Sequence, residues 1–354
     1  MRSTSFFAAA GVLGAVSATP IAQQQYGEPA QEEYVGYFGT FFPLQDEAIY
    51  GWLSNGNDAH SWQQLNGPAG NGSILRSNVG TTGVRDSHLI PSQDGSKWWL
   101  IATDLKVNDF KEDFNEATRF GSRSIVVWES EDLATWSEAR LTEPIVDVSA
   151  GNVWAPEADW DPLVGAYVMV YASRFWDPAD VNRTGPQPPN RLMYSTTQDF
   201  VTFSEAKEYF FPGYPVIDAT FWHATEEGPD VWYRWIKSEV DYRIYQERSE
   251  NGILGTFTRV GGASEDERIR FADQYENNEG PLIFRDNVDP GLYHLWIDQN
   301  TFQSYVPATA RTLNDMAAWQ VESLNGFPNT IKHGQVTPIT QKQYDTIVAK
   351  YSFV

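Results

Sequence analysis

The strongest constraint on how this chain can fold is a unit that recurs five times along it. A strand ends in a Ser-containing turn, and an aromatic residue follows a few positions later: Ser54 to Trp62, Ser130 to Trp136, Ser195 to Phe203, Ser249 to Phe257 and, in weaker form, Ala310 to Trp319. The aromatics fall 54 to 74 residues apart, the range expected of four-stranded propeller blades with loop insertions. Few segments sustain a helical period. Short runs rich in Val, Ile, Tyr, Trp and Phe alternate instead with Gly, Asp, Asn and Pro, the pattern of an all-β chain.

Upstream of each turn the sequence predicts a middle strand (34–39, 98–103, 166–172, 231–236, 292–297) and a third strand (48–53, 124–129, 191–194, 242–247, 302–307). Four units begin with an additional strand that carries an acidic residue: "GVRDSHLI" with Asp86, "NVWAPEADW" with Glu157, "PVIDATFW" with Asp218 and "NEGPLIF" with Glu279. The acids lie 71, 61 and 61 residues apart, which reads as equivalent positions of one repeat. The first unit has no such strand. The segment "KHGQVTPIT", residues 332–340, follows the fifth unit and has nowhere else to pair. It is read as the innermost strand of the first blade, closing a five-bladed β-propeller over residues 34–354. Closure removes the open sheet edges that would otherwise invite aggregation.

Ahead of this domain, residues 1–18 read as a secretory signal. Arg2 supplies the positive start, Phe6 to Ala15 is apolar but too short to span a bilayer, and Val16 and Ala18 suit a cut before Thr19. Residues 19–33 are polar, with a Gln run, Pro20 and Pro29, and read as a disordered leader. Two acceptor sequons, Asn71-Gly72-Ser73 and Asn182-Arg183-Thr184, fit passage through a secretory pathway. The chain has no cysteine, so burial and β-hydrogen bonding alone must stabilise it, which its size allows. The formal net charge of −22 repels nucleic acid and anionic membranes but is compatible with neutral carbohydrate. A secreted monomer is expected.

Innermost strands line a propeller's axis, so Asp86, Glu157, Asp218, Glu279 and His333 should converge on one mouth of the channel. Burying like charges together is costly and shifts their pKa values. A purely structural ring would place apolar side chains there, so convergent carboxylates mark a functional site. The repeat aromatics Trp62, Trp136, Phe203 and Trp319 are expected to pack between blades.

These strands resemble glycoside hydrolase family 43, the five-bladed arabinanase and xylosidase group. "NVWAPEA", "VIDATFW", "NEGP", "KHGQVTPIT" and "GVRDSHLI" followed by "WWLIATDL" are similar to that family's blade motifs in order and spacing, from about Tyr34 to the C-terminus. Ser87 and Ala219 stand where the family usually has Pro, and Glu157 where it usually has Asp. The resemblance implies an inverting mechanism with Asp86 as general base, Glu279 as general acid, and Asp218 as the residue that orients the acid and raises its pKa. It also implies that His333 is an axial histidine that in many members holds a metal ion, often calcium, or ordered water; no cofactor is required for the reaction itself. Inverting hydrolysis needs base and acid roughly 6.5–9.5 Å apart to admit a water, and opposite strands of a five-fold ring can provide that gap. A nearby carboxylate is expected to keep Glu279 protonated. Glu157, Trp154, Trp222 and Arg85 are the candidate substrate contacts, the two tryptophans by stacking on a sugar face.

The function that follows is an exo-acting hydrolase of terminal sugars on wall polysaccharide, α-L-arabinofuranosyl groups first, with β-D-galactofuranosidase and β-xylosidase as variants. A non-catalytic sugar-binding propeller would repeat similar binding residues in every blade, whereas here the inner-strand motifs differ from blade to blade. A protein-interaction propeller fits poorly with the secretion signal and the inner acids.

Overall fold

The computed structural model describes residues 33–68, 71–261, 269, 277–300 and 304–354. The signal and leader expected over 1–33 lie outside the described residues, Glu33 apart. Blade I is built from β1 (Tyr34–Phe42), β2 (Tyr50–Asn55) and β3 (Asp58–Asn66). Blade II follows with β4 (Val84–Pro91), β5 (Trp98–Asp104), a connection carrying the helix α1 (Phe114–Phe120), then β6 (Ile125–Ser130) and β7 (Arg140–Leu141). Blade III holds β8 (Trp154–Asp161), β9 (Ala166–Ser173), β10 (Arg191–Thr197) and β11 (Lys207–Phe210). Blade IV holds β12 (Val216–His223), β13 (Trp232–Ser238), β14 (Arg243–Ser249) and β15 (Thr258–Arg259). Blade V holds β16 (Asn278–Arg285), β17 (Tyr293–Gln299), β18 (Ser304–Ala310) and β19 (Gln320–Val321). The chain ends with β20 (Lys332–Thr340), α2 (Gln341–Lys350) and β21 (Ser352–Phe353).

The five antiparallel sheets make a five-bladed β-propeller, and the ring closes as the sequence predicts. β20 pairs with β1 from Tyr34 opposite Thr340 to Phe42 opposite Lys332, so blade I takes its inner strand from the far end of the chain. β21 then adds to the outer edge of the same sheet, giving the order β20-β1-β2-β3-β21. The helix between them was not foreseen. It starts in a capping box, Thr340 with Gln343, and buries Ile347, with Tyr351 just beyond its end, in the core between blades I and II.

The middle strands read as continuous apolar runs because each is covered on both faces. Alternate side chains of β5 part company: Trp98, Leu100 and Ala102 pack toward blade I, whereas Trp99 and Ile101 pack toward blade III. In β9, Tyr167, Met169 and Tyr171 face blade II, and Val168, Val170 and Ala172 face blade IV. The core is therefore five wedges, one at each blade junction. Each repeat aromatic caps one wedge: Trp136 at I–II, Phe203 at II–III, Trp319 at IV–V and Trp62 at V–I, as expected, and Phe257 likewise at III–IV.

The turn ahead of each aromatic has a local cause. Ser130 Oγ accepts the N–H of Leu133 at 2.9 Å, and Asp132 Oδ1 accepts those of Ala134 and Thr135 at 2.9 and 2.6 Å. Blade III repeats this with Thr197 and Asp199, so its turn residue is Thr197 and not Ser195. Ser195 lies two residues earlier, where the strand has not yet ended, and shares a hydrogen bond with the Tyr171 hydroxyl.

Candidate active site

Each acid-bearing inner strand is interrupted by a β-bulge at one register. Arg85, Trp154, Ile217 and Glu279 pair with Thr103, Ala172, Lys237 and Asp298 of the adjoining middle strands, and the register shifts immediately afterwards. The residues that follow, Asp86, Ala155, Asp218 and Gly280, have φ of 53°, 47°, 53° and 41°. Aspartate is among the few side chains that enter this left-handed region at modest cost. Gly280 is required for a different reason: a Cβ there would sit 2.8 Å from Cγ of His333. The bulge bends the strand and re-aims consecutive side chains toward the axis.

This register corrects the alignment made from sequence spacing. The blade III counterpart of Asp86 and Asp218 is Ala155, Glu279 stands one residue before its bulge, and Glu157 falls two residues beyond. Glu157 therefore belongs to the next layer down the channel, level with His88, Thr220 and Gln335. Its oxygen Oε2 lies 3.7 Å from Nδ1 of His88, and it is absent from the wall of the pocket above.

That pocket encloses about 400 Å³ and is lined by Arg85, Asp86, Trp154, Asp218, Glu279 and His333 among others, a size suited to a small ligand. Of the residues expected to contact substrate, Arg85 and Trp154 line this pocket. The Arg85 guanidinium lies 4.6 Å from the Phe42 ring and 5.4 Å from that of Phe114, and Trp154 meets Phe114 edge-on at 6.2 Å. Trp222 is not in the site. Four residues along β12 from Asp218, its ring packs on Tyr293 in the wedge between blades IV and V, because the strand carries it away from the pocket.

The electrostatics divide the acids. Burial favours a neutral Asp86, but His333 Nδ1 at 3.5 Å, the nearby Arg85 and the Thr103 hydroxyl at 2.8 Å outweigh it and hold its pKa below the ordinary value. Asp218 is pushed up by burial and by Glu279 and Asp86, against Lys237 and His333. Its Oδ2 accepts the N–H of Gly280 at 3.1 Å. Glu279 does not follow the expectation that a neighbouring carboxylate keeps it protonated. Burial would raise it, yet Lys237 Nζ at 3.0 Å and Lys332 Nζ at 3.1 Å bring its pKa down to about 2. Lys332 also reaches Asp298 at 2.7 Å, a carboxyl that burial lifts to about 6.

Lys237, Lys332 and Asp298 were missed in the sequence. Two of them carried a signal: Lys237 and Asp298 are the charges that close the mostly apolar runs "WYRWIK" and "YHLWID", at the register that faces the bulge.

His333 sits between acids, its Nδ1 3.5 Å from Asp86 Oδ1 and 4.0 Å from Asp218 Oδ1. Burial opposes protonation, but these carboxylates raise its pKa to about 9. Held between two carboxylates, the imidazolium donates from Nδ1 toward Asp86 and Asp218 and bridges blades II and IV across the axis. Among the described residues, no group of three His, Cys, Asp or Glu has the geometry to hold a metal ion. One layer lower, His88 Nδ1, Glu157 Oε2 and Gln335 Oε1 are buried without hydrogen-bond partners, a lining that suits ordered water.

An axial pocket in which acids from three blades meet is a site for acid–base hydrolysis, and the propeller with this site is a glycoside hydrolase. The chain belongs to the family described as "Probable glycosyl hydrolase domain", related to glycoside hydrolase family 43, whose model matches residues 32–345. A protein of Bifidobacterium longum named alpha-L-arabinofuranosidase is 34% identical over 178 residues, 47% of this chain and 16% of that relative, so the chain matches only a small part of its length. Similar solved structures include the catalytic domain of a Coprinopsis cinerea GH62 alpha-L-arabinofuranosidase, with TM-score 0.44 and 12% identity over 68% of this chain and 67% of that one. Another is an exo-beta-1,3-galactanase from Phanerochaete chrysosporium, with TM-score 0.45 and 14% identity over 70% of this chain and 53% of that one. Likeness of that degree decides nothing about substrate.

Proposed function

We propose that this glycoside hydrolase removes terminal sugars from polysaccharide with inversion, α-L-arabinofuranosyl groups first, acting as a secreted monomer. The observation that carries the mechanism is the meeting of Asp86, Asp218 and Glu279 from blades II, IV and V around His333 in one pocket. An ionised Asp86, fixed by Thr103, activates a water for attack on the anomeric carbon. Glu279 gives a proton to the departing oxygen, and Asp218 orients it through the adjoining N–H of Gly280 and the shared Lys237. The acid must first be loaded. In the free site two ammonium groups keep Glu279 ionised, and each has a second acid within reach: Asp298 for Lys332 at 2.7 Å and Asp218 for Lys237 at 3.9 Å. A shift of either lysine toward that acid as substrate enters lets Glu279 take up a proton from solvent, and the proton that Asp86 accepts from the attacking water returns to solvent after the cleavage.

A pocket favours chain ends, and the relative named alpha-L-arabinofuranosidase supports arabinose as the first sugar to test. β-D-galactofuranosides and β-xylosides complete the screen. Exposed Asn71 and Asn182 in the two sequons are consistent with export. Proton NMR of the first-formed product, read before mutarotation, checks the mechanism. Inverted configuration at the released sugar is expected. Retention, or transfer of the sugar to methanol with retention, would rule out Asp86 acting through water.

A further inference from the structure

One residue on the pocket wall has a backbone that folding alone does not explain. Tyr242 is the last residue of the turn 239–242 that joins β13 to β14, and its φ is 54°. A bulky side chain in the left-handed region is an outlier, and a turn of this kind ordinarily takes glycine or asparagine there. Burial does not compensate, since Tyr242 is 45% exposed. No hydrogen bond of its hydroxyl to a described residue offsets the strain either. What the strained backbone achieves is to hold Tyr242 on the wall of the axial pocket, which Glu239 and Asn300 also line. Backbone strain that persists without a folding benefit collects at functional positions.

The ring's surroundings say which part of a substrate it meets. Lys237 Nζ lies 5.6 Å from the ring centre, and the same Nζ bonds Glu279 Oε2 at 3.0 Å. The ring and the acid therefore share one lysine and line one pocket, through which the leaving group of the glycosidic bond must pass. A tyrosine offers a flat apolar face, which matches the C–H face of a sugar ring.

We propose that Tyr242 is a specificity residue that stacks on the leaving-group sugar, the polysaccharide unit to which the terminal residue was attached. The inference rests on Glu279 being the acid. It makes the enzyme a reader of the polymer as well as of the sugar it removes.

The test compares Tyr242→Gly and Tyr242→Phe on arabinotriose and on methyl α-L-arabinofuranoside, whose leaving group has no ring to stack. For Tyr242→Gly, the ratio of KM for the trisaccharide to KM for the methyl glycoside should rise about 5- to 10-fold, the range of a lost ring contact. Tyr242→Phe should restore the wild-type ratio. The melting temperature of Tyr242→Gly should equal or exceed that of the wild type, because glycine relieves the left-handed strain. An unchanged KM ratio in Tyr242→Gly overturns the proposal. If the wild type cleaves no furanoside or xyloside, the reading of function fails first, and the melting experiment still decides for Tyr242. A glycine variant that melts lower would show the ring serving the fold and refute the inference. One that melts higher supports a ring kept for binding.

Discussion

Glu279 illustrates what a single residue can and cannot reveal. Its place in "NEGP" and its distance from the other acids marked it as catalytic, yet its charge state is set by Lys237 and Lys332, which come from other strands. Glu279→Gln keeps the shape and removes the transferable proton. Hydrolysis of natural linkages should fall by about 10² to 10⁴, the usual worth of acid catalysis. Aryl glycosides with good leaving groups should lose much less. Lys332 keeps Asp298 at 2.7 Å and the glutamine carbonyl can still accept from Lys237, so the far-ultraviolet circular dichroism should stay close to wild type. Equal losses on both substrate types in a folded protein would remove Glu279 from the acid's role. Asp86 and Asp218 were as legible as Glu279, because each stands in an inner strand of the repeat. Glu157 was misplaced because a bulge adds a residue without leaving any mark in the sequence.

At the scale of elements, the recurring turn makes a separate prediction. Asp132 Oδ1 takes two backbone N–H groups, as Asp199 Oδ1 does in blade III. Replacing Asp132 by Ala should cost about 1–2 kcal/mol in urea unfolding at neutral pH, the worth of a capping side chain. Burial is the largest single influence on Asp132 and raises its pKa, but the hydrogen bonds from Thr135 and Ala134 together outweigh it and the net shift is downward. A lowered folded pKa stabilises above the unfolded value of 3.8 and loses that contribution as pH falls through the folded value. The stability gap between Asp132→Ala and wild type should therefore shrink below pH 3.8. A gap independent of pH would mean that the carboxylate's charge plays no part. The strands were readable because each middle strand is buried on both faces. The helix α2 was overlooked although its Thr340 and Gln343 form a capping box. Its residues Tyr344, Ile347 and Val348 follow a helical period.

For the whole molecule, the decisive feature is that the last segment of the chain completes the first blade. β20 runs along β1 over most of its length, and β21 holds the opposite edge of the same sheet. A chain ending at residue 331 loses both, together with Lys332 and His333 from the site. It leaves β1 with an open edge, and it exposes the wedges on both sides of blade I, where Ile339, Val336 and Ile347 are buried. Truncation there should abolish cooperative folding and yield aggregates by size-exclusion chromatography. A truncated chain that stays monomeric and keeps its melting temperature would show that blade I closes without β20.

The sequence by itself determined the number of blades, the order of their strands and the manner of closure, because these follow from a repeat and from strands that need two covered faces. It also picked out Asp86, Asp218, Glu279 and His333, which share the inner strands. What only the tertiary structure decided is which side chains meet. The bulges moved Glu157 to a lower layer, the direction of β12 took Trp222 out of the pocket, and folding brought two lysines onto the acid. Those outcomes depend on register and on charges brought together from distant strands. A local pattern of residues carries neither.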